Sequence, residues 1–190
     1  MDSIRVFDVC RNGSHVLGPG CRYVLWTQGC MRRCQGCITP ESRPLEGGVN
    51  IGIEALAFDI VARSHIDGLT ISGGEPFLQA KGLGMLLNQV HRERPEMTVI
   101  VYSGYRYEEL EAVPDAETLL RYVDVLIDGE YVESLNDGAG LRGSSNQRII
   151  PLTHRFDAYL DMMEKGVRHV ERVAISPNYV TTIGIPIKKQ

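Results

Sequence analysis

The chain has 190 residues, of which 43% are hydrophobic and 23% charged, with a formal net charge of −4. This length sets one compact domain with a small appendage at most, and the composition excludes wholesale disorder. The acidic balance argues against general nucleic-acid binding, since nothing would displace counterions from phosphates. Residues 1–5 carry no apolar signal core and no apolar run reaches membrane-spanning length, so the expectation is a cytoplasmic protein with no membrane and no nucleic-acid partner.

In chain order, Arg22 to Gln28 (RYVLWTQ) reads as a strand, and a cysteine-rich loop follows it. Ile53, Leu56, Ala57, Ile60 and Val61 recur at helical spacing. Gly68 to Ser72 reads as a buried strand, and Leu83, Leu86, Leu87 and Val90 mark a second helix that Pro95 ends. Met97 to Ser103 (MTVIVYS) is the next strand. Short helices are expected at Tyr107 to Ala112 and Ala116 to Tyr122, then a strand at Val123 to Ile127. Glu130 to Ser145 is polar and glycine-rich, a long loop, and Gln147 to Ile150 a short strand. Phe156, Tyr159, Leu160 and Met163 give a last helical face. Val170 to Ile175 and Tyr179 to Ile185 form a closing pair of strands around Ser176, Pro177 and Asn178.

Strands alternating with helices predict an α/β fold with parallel strands and right-handed crossovers. A complete eight-stranded barrel typically needs about 250 residues. The expectation is therefore an incomplete (β/α) barrel or a curved open sheet, with ligands at the carboxyl ends of the strands. The cysteine loop, Gly73 to Pro76, Ser103 to Tyr105 and Asp128 all fall at such ends.

The five cysteines are Cys10, Cys21, Cys30, Cys34 and Cys37. An odd number without a signal sequence argues against a disulfide framework. Cys30, Cys34 and Cys37 are spaced C-x3-C-x2-C, and three thiolates can hold three corners of a 4Fe-4S cube. Electron-transfer clusters take four cysteines, so three leave one iron open to an exogenous ligand. Gly29 and Gly36 would let the backbone wrap closely, and Arg32 and Arg33 would sit beside an anionic cluster. A zinc site completed by Cys21 or a distant histidine is the alternative, and plain packing is the third reading. Cys10 and Cys21 share no such spacing and read as structural.

Ser72-Gly73-Gly74-Glu75-Pro76 follows a strand directly. Two glycines let main-chain groups approach a ligand, and carbonyls with a carboxylate suit an ammonium group. Phosphate fits poorly, because no Lys-Ser/Thr follows. The same pattern also serves as an ordinary tight turn.

Together, the C-x3-C-x2-C loop and the strand-end GGEP resemble the two signatures of the radical S-adenosylmethionine superfamily. Within it the chain is similar to the glycyl-radical activases of anaerobic ribonucleotide reductases. That similarity rests on Gly18-Pro-Gly20, Thr27-Gln-Gly-Cys30, residues 101–106 (VYSGYR), residues 123–129 (VDVLIDG) and residues 141–147 (LRGSSNQ). The resemblance implies a core domain over residues 1–152 and an extension over 153–190, a helix plus β-hairpin packed on it. It implies a 4Fe-4S cluster on Cys30, Cys34 and Cys37, with the fourth iron binding S-adenosylmethionine. The backbone of Gly73 and Gly74, with Glu75, would hold the methionyl ammonium; Gly36, Cys37 and Ile38 would line the adenosyl side. Ser103 and Asp128 are candidates for the carboxylate or ribose surroundings, or ordinary strand-end caps. Reductive cleavage would give methionine and a 5′-deoxyadenosyl radical, which would take a hydrogen atom from a glycine of the reductase. A flavodoxin or ferredoxin would be the reductant.

Three departures stand out. Ile38 replaces the family's common aromatic residue. Thirty-eight residues follow Leu152, where compact activases end. The SSNQ segment has no evident physical role. A stand-alone enzyme modifying a small molecule or peptide is the second reading, and a non-enzymatic iron–sulfur or zinc module the third. Trp26 reads as core, and Tyr102, Tyr105 and Tyr107 as core or cavity wall. The five histidines are scattered, the acidic face at 108–111 is solvated, and Lys188 with Lys189 is too small a basic patch for nucleic acid.

Overall fold

The structure, a computed structural model, describes residues 2–176 and 179–186. The strands are β1 (Ser3–Ser14), β2 (Arg22–Thr27), β3 (Val49–Gly52), β4 (Gly68–Gly73), β5 (Thr98–Ser103), β6 (Val125–Asp128), β7 (Arg148–Pro151), β8 (Glu171–Ser176) and β9 (Tyr179–Ile183). The helices are α1 (Ile53–Val61), α2 (Ala80–Glu93), α3 (Ala116–Leu120) and α4 (Leu160–Lys165).

Seven strands form one open sheet in the order β3-β1-β2-β4-β5-β6-β7, and no barrel is closed. β2, β4, β5 and β6 run parallel in its centre. The three outer pairings, β3 with β1, β1 with β2 and β6 with β7, are antiparallel. The sheet is therefore mixed, not wholly parallel as the strand–helix alternation implied. The reason lies in the connections: residues 15–21 are too few for a crossover, so β2 can only return antiparallel to β1. Neither β1 nor β3 stands out in the sequence. Register shifts between Val6 and Asp8 and between Cys10 and Ser14 break the alternation of β1. β3 has four residues, half of them exposed.

The central strands read as continuous apolar runs because both faces of the sheet are covered. On one face, α1 and α2 bury Leu56, Ile60, Leu83 and Leu87 against Leu25, Leu69, Ile71, Val99 and Val101. On the other, Ile100, Val125 and Ile127 meet Leu141, Phe156 and Met163. Val24, Cys10 and Leu17 meet Ile183 and Ile185 there. Val99 and Ile100 thus serve opposite layers, as the two-residue strand period requires. The C-terminal residues cover the face that α1 and α2 leave open.

Residues expected as a helix at 107–112 form a 3-10 turn, and α3 ends at Leu120. Another 3-10 turn at His154–Tyr159 precedes α4, and β8 and β9 form the closing hairpin. Its turn residues Pro177 and Asn178, and Lys188 and Lys189, lie outside the described residues. Among the described residues, no helix is long and apolar enough to cross a membrane.

Candidate functional site

The cysteine loop begins where β2 ends. Its base is pinched shut by two backbone bonds: the Gly29 amide donates to Ser42 O (2.8 Å) and the Cys30 amide to Arg43 O (2.8 Å). Gln28 is buried, and its Nε2 donates to Pro44 O (2.8 Å) and Glu41 O (3.3 Å), holding the returning strand of the loop. Within the loop the Cys37 amide donates to Cys34 O (3.3 Å), with Gly36 in the left-handed region at φ 76°. Gln28 was visible in the sequence only as part of the TQGC segment, with no role attached.

The glycine turn after β4 packs straight onto this base. The Gly74 amide donates to Thr27 O (2.7 Å) and the Glu75 amide to Gly29 O (2.8 Å). A Cβ on Gly74 would lie 2.3 Å from Gly29 O, and one on Gly73 2.5 Å from Thr27 N; Gly73 also has φ 100°. The glycines are thus needed to seat the cysteine loop, a demand beyond ligand access that sequence spacing does not reveal. With the Gly74 and Glu75 amides engaged, the turn offers a ligand its carbonyls and the neighbouring carboxylate.

That carboxylate, Glu75, is 1% exposed. Oε1 accepts from the Phe77 amide (3.1 Å) and from Ser103 Oγ (2.9 Å), and Oε2 accepts from the Gly104 amide (2.7 Å). Glu75 therefore ties the end of β4 to the end of β5. Burial pushes its pKa up to about 7, against the lowering effect of those three donors and of Arg32. Ser103 acts on Glu75 and also reaches the cavity.

Cys30, Cys34, Cys37 and Ile38 share one cavity of about 370 Å³ with Gly73, Gly74, Glu75 and Ser103. Leu17, Trp26, Tyr102 and Ile185 supply apolar wall. Burial raises the Cys30 and Cys34 thiols and so favours their protonated form at neutral pH. Cys21 precedes β2 and Cys30 follows it, so about 20 Å of strand separates them and Cys21 is no fourth ligand. Among the described residues, no three His, Cys, Asp or Glu side chains gather as ligands of a single ion. Three thiols that border one cavity are a donor set suited by its chemistry to three corners of a cluster, with open space left beside them.

Two expected site residues lie off the wall. Asp128 is fully buried and accepts from Arg148 Nε (2.9 Å) and the Tyr107 amide (2.7 Å), an ion-paired strand-end cap. Gly36 faces Glu133, whose Cβ a side chain there would meet at 2.7 Å. The SSNQ segment gains a role: Gln147 Oε1 accepts from the Gly143 amide (2.8 Å) and its Nε2 donates to Gly129 O (2.6 Å). Ser144 Oγ accepts from the Val132 amide (3.1 Å), so the segment laces the 129–147 loop together. Arg32, expected near a cluster, lines the cavity, stacks 4.3 Å from the Tyr105 ring centroid and pairs with Glu109 (3.0 Å) and Glu130 (2.9 Å). It thereby ties the loop to the ends of β5 and β6.

A family model described as a 4Fe-4S single cluster domain matches residues 16–150, which hold the loop, the turn and all four parallel strands. This match supports an iron–sulfur cluster. The chain is similar to the anaerobic ribonucleoside-triphosphate reductase-activating protein of Enterobacteria phage T4, at 34% identity over 140 residues, covering 70% of this chain and 86% of the relative. The protein of that name from Haemophilus influenzae is 35% identical over 146 residues, covering 73% and 90%. That from Escherichia coli K12 is 30% identical over 142 residues, covering 70% and 90%.

Proposed function

The chain belongs to the family of anaerobic ribonucleoside-triphosphate reductase-activating proteins, and on that premise we propose that it is a radical S-adenosylmethionine enzyme that installs a glycyl radical on such a reductase. One observation carries the reading: the three loop thiols and the Gly73-Gly74-Glu75 turn open on a single cavity at the carboxyl ends of parallel strands. The open sheet is read as the incomplete barrel of that superfamily, with residues 1–152 as core and 153–190 as an extension packed on it.

When bound at Cys30, Cys34 and Cys37, a 4Fe-4S cluster supplies the electron that breaks a sulfonium C–S bond, giving methionine and a 5′-deoxyadenosyl radical. The chain binds, orients and shields. Gly73 and Gly74 offer carbonyls to the methionyl ammonium, and Glu75 lends negative charge beside them. Ser103 positions Glu75 through the 2.9 Å bond to Oε1. Ile38, on the cavity wall beside Cys37, gives the adenosyl group an apolar contact. Leu17, Trp26 and Tyr102 keep water from the reacting carbon. A hydrogen atom then passes from a glycine Cα of the reductase to the 5′ carbon, leaving the glycyl radical and 5′-deoxyadenosine. A flavodoxin or ferredoxin is the proposed reductant.

The test is to mix the anaerobically reconstituted protein with an anaerobic ribonucleoside-triphosphate reductase, S-adenosylmethionine and dithionite. Electron paramagnetic resonance should then show a protein-based glycyl radical that is lost when the reductase is omitted. Formation of 5′-deoxyadenosine without any reductase radical would contradict the proposed substrate.

A further inference from the structure

The cavity has a wall that the matched family domain does not supply. That domain ends at residue 150, yet Thr181, Thr182, Gly184, Ile185 and Pro186 line the same space as the cysteines. The segment is fastened at both ends. At its start, Glu171 accepts from Ser14 Oγ (2.7 Å) and from the His15 amide (3.3 Å). At its end, Asn136 Nδ2 donates to Pro186 O (3.1 Å), and Asn136 Oδ1 in turn accepts from the buried Arg168 (2.7 Å). Between these ties, Ile183 is fully buried and Ile185 is 8% exposed, packed with Cys10, Leu17 and Val24. Contacts of this kind make a fixed wall, not a loose tail.

The way β9 faces the cavity is informative. Successive side chains of a strand point to opposite sides. Thr181 and Thr182 are consecutive, and both line the cavity. A strand that turns its edge to the cavity does this. Among the described residues β9 pairs with β8 alone, so its other edge carries backbone N–H and C=O groups without a strand partner. Such an edge is a template for another extended chain. It borders the space that also holds the three thiols and the glycine turn.

We propose that the outer edge of β9 is a docking rail for the substrate, pairing as a strand with the extended backbone segment that carries the reacting glycine. This rests on the functional reading above and adds the mode of recognition to it. A glycine-bearing backbone suits the place. Having no side chain, it can lie close against the wall, and strand pairing fixes its Cα at a set distance from the cavity floor. Recognition through backbone groups also explains why the wall presents two threonines and a glycine and no charged residue among its five cavity-lining positions.

The test is amide hydrogen exchange on the full chain, loaded anaerobically with cluster and S-adenosylmethionine, with and without an anaerobic ribonucleoside-triphosphate reductase. Complex formation is followed independently by sedimentation. The proposal expects amides within 180–184 to exchange at least tenfold more slowly in the complex, while those of α1, on the opposite face of the sheet, keep their rates. Thr181→Pro and Thr182→Pro form a second arm, since one of the two removes an outward-facing N–H. At least one should lower the reductase radical yield tenfold or more. A complex that forms with unchanged exchange at 180–184 overturns the rail and leaves the functional reading standing. Absence of any complex overturns both.

Discussion

Glu75 is a packing residue to which the proposed function adds a binding role. Its three hydrogen-bond donors join the ends of β4 and β5, while its burial raises the carboxyl to about 7. The native state therefore holds a proton that the unfolded chain, with the ordinary value of 4.5, has released. Between those values the native state binds more protons, so stability falls as pH rises. Glu75's contribution is fully present below about 4.5 and is lost as pH rises through about 7. Urea midpoints of the cofactor-free protein should thus fall more between pH 5 and pH 8 in the wild type than in Glu75→Gln. Equal slopes would contradict the assignment. Under the proposed function the dependence of S-adenosylmethionine binding has the opposite sign: an ammonium group prefers the ionised carboxylate, so binding should tighten as pH rises toward 8. Gly74 is the companion case. Gly74→Ala places a methyl 2.3 Å from Gly29 O and should cost about 2 kcal/mol, read by thermal denaturation, with loss of iron on reconstitution. The C-x3-C-x2-C spacing and the GGEP turn were both legible as residues. That the glycines seat the loop, and that Ser103 is bonded to Glu75, was not, because both depend on contacts between β2, β4 and β5.

At the scale of elements, periodicity located what lies in the middle of the fold. The four parallel strands and the faces of α1 and α2 follow from continuous apolar runs and from helical spacing, since burial on those surfaces is uniform along the chain. The outer strands were hidden for the converse reason. Register shifts interrupt β1, and β3 is short and half exposed. Contact geometry within α2 yields a paired prediction. A Cβ on Gly84 would meet Thr118 O at 2.5 Å, whereas on Gly82 the nearest atom would be 3.5 Å away. Gly82→Ala should therefore stabilise the protein by up to about 1 kcal/mol, the helix-propensity difference. Gly84→Ala should destabilise it despite the same propensity gain, because α2 and α3 must move apart. Two chemical denaturation curves decide this, and equal effects would show that the α2–α3 contact yields easily.

Across the whole molecule, the two ends of the parallel sheet carry different residues, and the proposed function assigns the chemistry to one of them. At the amino end, Arg22 is fully buried and donates to Thr70 Oγ1 (2.6 Å), Leu69 O (2.7 Å) and Thr98 Oγ1 (3.0 Å), stitching three strands together. At the carboxyl end the same strands carry the cysteine loop, the glycine turn and Ser103. Stability at one end and chemistry at the other is the usual division in parallel α/β sheets. The sequence showed that a helix and hairpin follow the core. It did not show that they cover the sheet face left open by α1 and α2, because that depends on which face the helices choose. The most direct test of the central claim is reductive cleavage of S-adenosylmethionine by the anaerobically reconstituted protein with dithionite, read as 5′-deoxyadenosine and methionine by mass spectrometry. The account predicts both products from the wild type and neither from Cys34→Ala. A wild-type protein that carries a full complement of about four irons and four sulfides yet forms neither product would contradict it.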